Sequence, residues 1–418
     1  MFTFIHAADI HLDSPMLGLS QHDEAPVETI RGATRTALTR LVDLAIEREV
    51  NFILIAGDLY DGDWKDFRTG QVFVNEMRRL KAEQIPAYLI YGNHDAESQV
   101  TKDLILPDNV RVFPTNAPAT VQHLDLPVSV HGQGFATRHV KDNLAANYPT
   151  PVENHFNIGL LHTNVGEREG YGDYAPSSLA QLVAHGYDYW ALGHIHLRET
   201  LHKHPHVVYS GNTQGRSVRE TDEKGCYVVS VNDELKVSGN EFVALDSVRW
   251  KNAQIDCSVM DSDHDLLQAI RTELTQSLDT SEGRLLAIRL TLTGHTKLHE
   301  LFHSAHARLR AECQSIALDL DAEMLWIEDL RLKTQTLIDP AELANQDTLT
   351  ALVLAALDNF DPTELPLPVQ TLLNKLPEDA RKALKSSLQP EETLDKESMR
   401  NDISAIVLQA IATSGPTQ

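Results

Sequence analysis

The residues best able to do chemistry in this 418-residue chain are its 20 histidines, several of which stand at short spacings from Asp and Asn. Asp9-x-His11 and His194-x-His196 share a spacing of two, which at a strand end turns both side chains to one face. Gly57-Asp58, Gly92-Asn93-His94-Asp95 and His162 add three more donor blocks. Carboxylate, imidazole and amide oxygen together suit a borderline-to-hard divalent ion such as Mn²⁺, Fe²⁺ or Zn²⁺. A bridging carboxylate can hold two such ions about 3.5–4 Å apart, a clamp suited to in-line attack on phosphorus. A phosphodiester is anionic and repels hydroxide. Two cations neutralise its non-bridging oxygens and acidify a water, and a nearby non-ligand imidazole can protonate the leaving oxygen. Any single block is explained as well by capping and turn residues. Five in order point to a metal set.

Each block follows an apolar run of strand length. Phe2 to Ala8 leads to Asp9, Phe52 to Gly57 to Asp58, Ala87 to Gly92 to Asn93, Ile158 to Leu161 to His162, and Tyr189 to Gly193 to His194. Polar groups just past the carboxyl ends of strands are where open α/β sheets place their sites. Apolar residues at helical spacing predict helices over Arg31–Glu49 and Gln71–Glu83. Residues 1–100 therefore read as α/β, and 110–245 as richer in strand. Beyond 250 a strand, a helix (263–277), a strand (285–292), a helix (298–313) and a strand (325–332) make a βαβαβ module. From 338 on, prolines punctuate candidate helices and strand signal fades. The fold class expected is an α/β (α+β) multidomain chain. Its plan is a catalytic domain over 1–250, a small α/β domain over 251–335 and a helical region over 336–418.

The ordered set Asp9-x-His11, Gly57-Asp58, Gly92-Asn-His-Asp95, His162 and Gly193-His-Ile-His196 resembles the calcineurin-like metallophosphoesterases. Within them, His6 to Asp13 and Gly57-Asp-Leu-Tyr-Asp61 are most similar to bacterial DNA-repair exonucleases of the SbcD and YhaO types. The resemblance implies a two-sheet β-sandwich core flanked by helices, followed by a capping domain that restricts which DNA reaches the metals. It implies that Asp9, His11 and His196 hold one metal, that Asn93, His162 and His194 hold the other, and that Asp58 bridges them. His94 becomes the catalytic imidazole. Asp95 is expected to orient it, on the general rule that a carboxylate fixes a histidine tautomer. Where some members carry Gly-Asp-x-x-His, this chain has Asp61, as the bacterial branch does. The implied function is a two-metal-dependent DNA exonuclease or endonuclease in DNA repair. Manganese is the first candidate metal, with Fe²⁺, Zn²⁺ or Mg²⁺ as alternatives. The implied partners are DNA, a coiled-coil ABC-type ATPase of the SbcC/Rad type and a second copy of the chain. The rival reading is a phosphoesterase acting on nucleotides or cyclic nucleotides, and a further rival is a non-enzymatic scaffold.

Composition narrows the field. The chain has 36 basic and 60 acidic residues, net −24, so it is no polycation-type nucleic-acid binder. The dipeptide Gly-Lys never occurs, which excludes a P-loop, so any ATP-driven step needs another polypeptide. No apolar run approaches the roughly 18 residues of a membrane span. The N-terminus does not read as a signal peptide. Three widely spaced cysteines suit the cytoplasm, the expected location. Two further histidine groups read as solvated: 202, 204 and 206 in a loop around Pro205, and 299, 303 and 306 on one helical face. Arg216 and Arg219 read equally well as phosphate contacts or as an ordinary surface turn. Apolar stripes at Leu349–Leu357 and Ile403–Ala410 are candidates for docking the ATPase partner.

Overall fold

A computed structural model describes residues 1–14, 26–61, 67–97, 104–166, 168, 172 and 174–337. The expected C-terminal helices and their docking stripes lie outside the described residues. The chain divides into two units. Met1–Lys251 with Ser281–Ala287 form the first, and Asn252–Thr280 with the residues from Ile288 onward form the second.

In the first unit, β1 (Phe2–Ala7), β2 (Phe52–Ala56), β3 (Ala87–Ile90) and β4 (Val110–Val112) run parallel. The helices α1 (Val27–Glu47) and α2 (Phe67–Ala82) are the crossovers. A second sheet holds β5 (Ala119–Gln122), β6 (Val128–Gly132), β7 (Phe156–His162), β8 (Tyr189–Gly193), β9 (Glu199–Lys203) and β10 (His206–Tyr209). Its order is β5-β6-β7-β8-β10-β9, with β6, β7, β8 and β10 parallel and a short helix, α3 (Leu179–Ala184), between β7 and β8. The chain then returns to the first sheet as β11 (Gly225–Val231) and β12 (Val237–Ala244), giving the order β12-β11-β1-β2-β3-β4. The result is two large mixed sheets flanked by helices.

Alternation along the strands sorts the side chains into layers. Phe4, Phe52, Leu54, Tyr88 and Ile90 of the first sheet meet Val130, Phe156, Ile158, Leu160 and Tyr189 of the second in one buried cluster. Their alternates Ile5, Ile53, Ile55 and Leu89 pack against Leu38, Leu41 and Met77 of α1 and α2. Strands buried on both faces read as nearly continuous apolar runs, the pattern parallel sheets produce. Phe4 sits at the middle, stacked on Phe52 with centroids 5.0 Å apart and edge-on to Tyr189 at 5.3 Å.

The second unit contains α4 (Asp263–Asp279), which follows a capping box. Ser262 Oγ accepts from Asp265 N at 3.3 Å, and the Asp265 carboxylate accepts from Ser262 N at 2.9 Å. The strand β13 (Val248–Asp256) precedes α4, and β14 (Leu285–His295) follows it. Then come α5 (His299–Ser304), α6 (His306–Asp321) and β15 (Leu325–Gln335), with sheet order β13-β14-β15. The single helix expected over 298–313 is broken at Ala305, whose backbone leaves helical geometry. The histidines there are not solvated. His299 is buried and bonds Thr334 Oγ1 through Nδ1 at 2.9 Å, and His306 Nε2 donates to the Leu330 carbonyl at 2.9 Å. Polar residue type suggested exposure, but β15 supplies partners along that face. His202 and His206 are likewise strand residues, with His204 and Pro205 as the turn between β9 and β10. All three cysteines are free and buried, and no helix among the described residues is long and apolar enough to cross a membrane.

Phe4→Ala removes a fully buried ring from the inter-sheet layer. It is expected to destabilise the first unit by about 3–5 kcal/mol, read as a lower denaturant midpoint by tryptophan fluorescence.

Candidate metal centre

The parallel register aligns the carboxyl ends of β1, β2 and β3, and β7 and β8 of the facing sheet end beside them. Asp9 and His11 follow β1, Asp58 follows β2, and Asn93 and His94 follow β3. His162 is the last residue of β7, and His194 and His196 follow β8. The chain must turn sharply at each exit. Asp9 (φ 50°), His11 (45°), Asp58 (49°) and His194 (94°) all adopt left-handed backbone, which costs L residues energy and gathers at sites the surrounding structure over-determines. Gly92 lies so close that a Cβ there would stand 2.2 Å from Asp58 Oδ1, so the third strand end needs glycine to approach the second.

Three groups of side chains each bring their ligand atoms within 4.8 Å of one another: Asp9, His11 and His196; His11, Asp58 and His94; and Asp9, Asp58 and His162. Asp58 Oδ2 lies 3.8 Å from His11 Nε2 and 3.4 Å from His162 Nε2. Asn93 Oδ1 joins at 3.0 Å from His162 Nε2. His194 joins by its backbone, its N–H donating to both Asp9 oxygens at 3.0 Å, and by its ring, 5.2 Å from that of His162.

The outer hydrogen bonds decide which ring nitrogens carry lone pairs. His162 Nδ1 donates to the Ala56 carbonyl (2.9 Å), His194 Nε2 to the Gly172 carbonyl (3.2 Å) and His196 Nδ1 to Glu220 Oε1 (2.7 Å). An imidazole that donates from one nitrogen offers the other as a ligand, the usual arrangement around metal-binding histidines. His196 Nε2 then faces His11 Nε2 at 3.2 Å, so two basic nitrogens converge on one point beside two buried carboxylates. This donor set fits divalent cations. When bound, two such ions would neutralise a phosphoester's oxygens and supply a nucleophilic water.

The electrostatics divide the histidines. Burial, with Arg216 adding to it, drives His11 down to about 3; burial and the charge of His162 do the same to His194. Both are neutral, as metal ligands must be. Burial alone would raise Asp58, but His162, His11 and His94 hold it far below the usual carboxylate range. Burial opposes the charge on His162, yet Asp58 and Asp9 carry it up to about 9. Asp9 is raised, chiefly by burial.

The orienting carboxylate for His94 is not Asp95. His94 Nδ1 lies 2.7 Å from Asp61 Oδ1. Asp95 opens a 3-10 turn, and its carboxylate folds back to accept the backbone N–H groups of Leu59 (3.1 Å), Tyr60 (2.8 Å) and Gly92 (3.0 Å). It ties the loops after β2 and β3 together, and burial, with Asp58 nearby, raises it to about 6. Burial lowers His94, but the Asp61 bond and the Asp58 charge more than offset this, so its value is raised. Glu220 was not foreseen as a site residue. Arg216 lies inward, ion-paired to Asp61 (3.3 Å) and Glu220 (3.2 Å), rather than on an ordinary surface turn. Residues 216–220 form a non-helical turn, so their spacing in the sequence does not signal this pair.

The model of the calcineurin-like phosphoesterases matches residues 2–198, and that of the metallophosphoesterase YhaO middle domain matches 250–335. An uncharacterized metallophosphoesterase YhaO from Bacillus subtilis is 32% identical over 368 residues, 87% of this chain and 88% of that protein. The DNA double-strand break repair protein Mre11 of Sulfurisphaera tokodaii is 26% identical over 202 residues, 46% of this chain and 49% of that protein. Mre11 of Saccharolobus solfataricus is 24% identical over 251 residues, 57% and 62% respectively. With the YhaO relative similar along nearly its whole length, and the phosphoesterase match covering every strand end that delivers an Asp or His to the centre, this chain belongs to the calcineurin-like metallophosphoesterases of the YhaO family.

Proposed function

We propose that this metallophosphoesterase is a two-metal phosphodiesterase that cleaves DNA, the nuclease subunit of a repair complex driven by a coiled-coil ABC-type ATPase. In this reading Asp9, His11 and His196 hold one ion, Asn93, His162 and His194 hold the other, and Asp58 bridges. Mn²⁺ is the proposed metal and the cytoplasm the proposed location. Residues 1–250 carry the chemistry, 251–335 cap it, and 336–418 dock the ATPase. The observation that carries the reading is Asp58 itself, one carboxylate common to the His11 and His162 groups. The similarity to two Mre11 proteins named for DNA double-strand break repair supports DNA over a nucleotide-sized substrate.

The residues divide the work by position. The carboxylates and imidazoles would fix the cations. His94 stands beside them, held by Asp61 at 2.7 Å, where its imidazole can give a proton to the departing oxygen. Its backbone N–H donates to Asp58 Oδ1 at 2.9 Å, so the proton donor and the bridging carboxylate keep a fixed separation.

Purified chain with Mn²⁺ is expected to degrade linear end-labelled DNA and to hydrolyse chromogenic mononucleotide esters far more slowly; the reverse preference overturns the DNA assignment. Asp58→Ala and His94→Ala should both abolish cleavage and differ in metal content. Elemental analysis should find two ions per chain in His94→Ala and fewer in Asp58→Ala. Equal metal content in both would remove Asp58 from the bridge. Asp95→Ala leaves three buried N–H groups without their acceptor and should cost about 1–3 kcal/mol of stability. Its melting temperature should fall while that of His94→Ala does not.

A further inference from the structure

The loop after β10 brings in a side chain that the roles above leave unused. Ser210, Asn212, Thr213 and Gln214 are buried. Gln214 Nε2 donates to the Val248 carbonyl at 2.7 Å, and its Oε1 accepts from Ser247 N at 2.8 Å. Trp250 Nε1 donates to the Gly215 carbonyl at 2.9 Å, and Gly225 N to the Asn212 carbonyl at 3.2 Å. The segment is fixed at four points before it presents Arg216.

The Arg216 guanidinium spans two carboxylates. Nη1 donates to Asp61 Oδ2 at 3.3 Å and Nη2 to Glu220 Oε1 at 3.2 Å. Each carboxylate in turn holds an imidazole at 2.7 Å, Asp61 that of His94 and Glu220 that of His196. The chain of contacts His94–Asp61–Arg216–Glu220–His196 is continuous, and its two ends follow β3 and β8, strands of different sheets. Glu220 is braced further by Asn212 Nδ2 (2.9 Å) and by the backbone N–H of Arg216 (2.8 Å), and Asp61 by the Ser14 hydroxyl (2.6 Å). Among the described residues, the buried Nε of Arg216 has no hydrogen-bond partner. Its orientation is therefore set by the two carboxylates, at the expense of one donor.

Resting on the two-metal reading, we propose that Arg216 is a positioning residue that fixes the proton-donating imidazole of His94 and the ligand imidazole of His196 relative to each other. The planar fork matters because it reaches two carboxylates at once. A lysine ammonium keeps the charge without that bridge. Without the guanidinium, Asp61 and Glu220 repel, and each is free to swing from its imidazole toward the cations.

The test uses the full chain with Mn²⁺ and linear DNA, in Arg216→Lys and Arg216→Ala, by calorimetric Mn²⁺ titration and steady-state kinetics. The expected result in both variants is that one of two Mn²⁺ sites weakens by about 10–100-fold, the usual effect of losing an outer partner of a ligand. The value of kcat should fall by a similar factor, with KM within about twofold. In an Asp61→Asn, Glu220→Gln background, Arg216→Lys should then change the Mn²⁺ isotherm by less than about twofold, since groups acting through one another are not additive. Wild-type isotherm and kcat in Arg216→Lys overturn the proposal. So does an equal loss in both backgrounds, which would mean that Arg216 acts on the centre without the two carboxylates, through its own contact with His196 Nδ1 at 3.4 Å. If Arg216→Ala does not fold, Arg216→Lys decides alone. Fewer than two Mn²⁺ per wild-type chain overturns the two-metal reading and this inference with it, an outcome distinct from two ions bound identically in all variants.

Discussion

The structure around the strand ends turns on the burial of one carboxylate. Asp58 is about 1% exposed, and an ionised carboxylate away from water is costly unless it is paired and hydrogen-bonded. Its partners come from every neighbouring strand end. His162 lies across the sandwich, His11 is delivered by β1, and the backbone N–H of His94 follows β3. The carboxylates act back on their partners: Asp58 and Asp9 carry His162 up to about 9 against the effect of its burial. Burial takes His11 and His194 the other way, down to about 3. Cation binding at such a centre exchanges protons for metal, so affinity falls as pH drops.

That convergence is also the source of the backbone strain. Five non-glycine residues near the site (Asp9, His11, Asp13, Asp58 and His194) have positive φ. Such conformations persist only where packing over-determines them, and here the two sheets do so. Asp9 N donates to the Gly57 carbonyl and His11 N to the Asp58 carbonyl, each at 3.0 Å. Neighbouring strand exits are thus stitched together before any side chain is considered. Asp95 completes the stitching by gathering three more backbone N–H groups. The donors are held by the ends of rigid strands, which keep a many-ligand site in register more closely than a free loop would.

The donor set was legible in the sequence because each block follows its own apolar strand, and spacing within a block survives folding. The buried strands were legible for the same reason, since doubly buried strands leave unbroken apolar runs such as Phe52–Ala56, whereas their division into two sheets was implied only by the family resemblance. What could not be read were contacts between residues far apart in the chain. Asp95 follows His94 directly, so adjacency made it the expected orienting group, but successive residues in a tight turn point apart. The imidazole is met by Asp61, 33 positions earlier, from another strand end. Glu220 is 24 positions from His196 and reaches it only because the loop after β10 is held down by Gln214 and Trp250. The histidines of α5 and α6 failed differently. Residue type suggested solvent, whereas Thr334 and the Leu330 carbonyl supply the partners that burial demands.

The net charge of −24 takes on a different meaning once these contacts are placed. Residues 1–250 hold 21 basic and 33 acidic groups, net −12, and the 168 residues after them hold 15 and 27, also −12. In the first unit a good part of the acidity is turned inward. Asp9, Asp58 and Asp95 are buried at the site, and Asp246 is buried between Arg249 and Arg284, each 3.0 Å away. Interior carboxylates matched by imidazole, guanidinium or backbone N–H project little field into solvent compared with the same charges at the surface. Divalent cations would offset more of it where a phosphoester meets the donors. The formal count therefore overstates the repulsion at the site, while the denser acidity beyond residue 250 remains unmatched in the totals. On the proposed DNA reading, with a net charge of −24, a tight, salt-resistant hold on the polyanion has to come from a second, more basic surface.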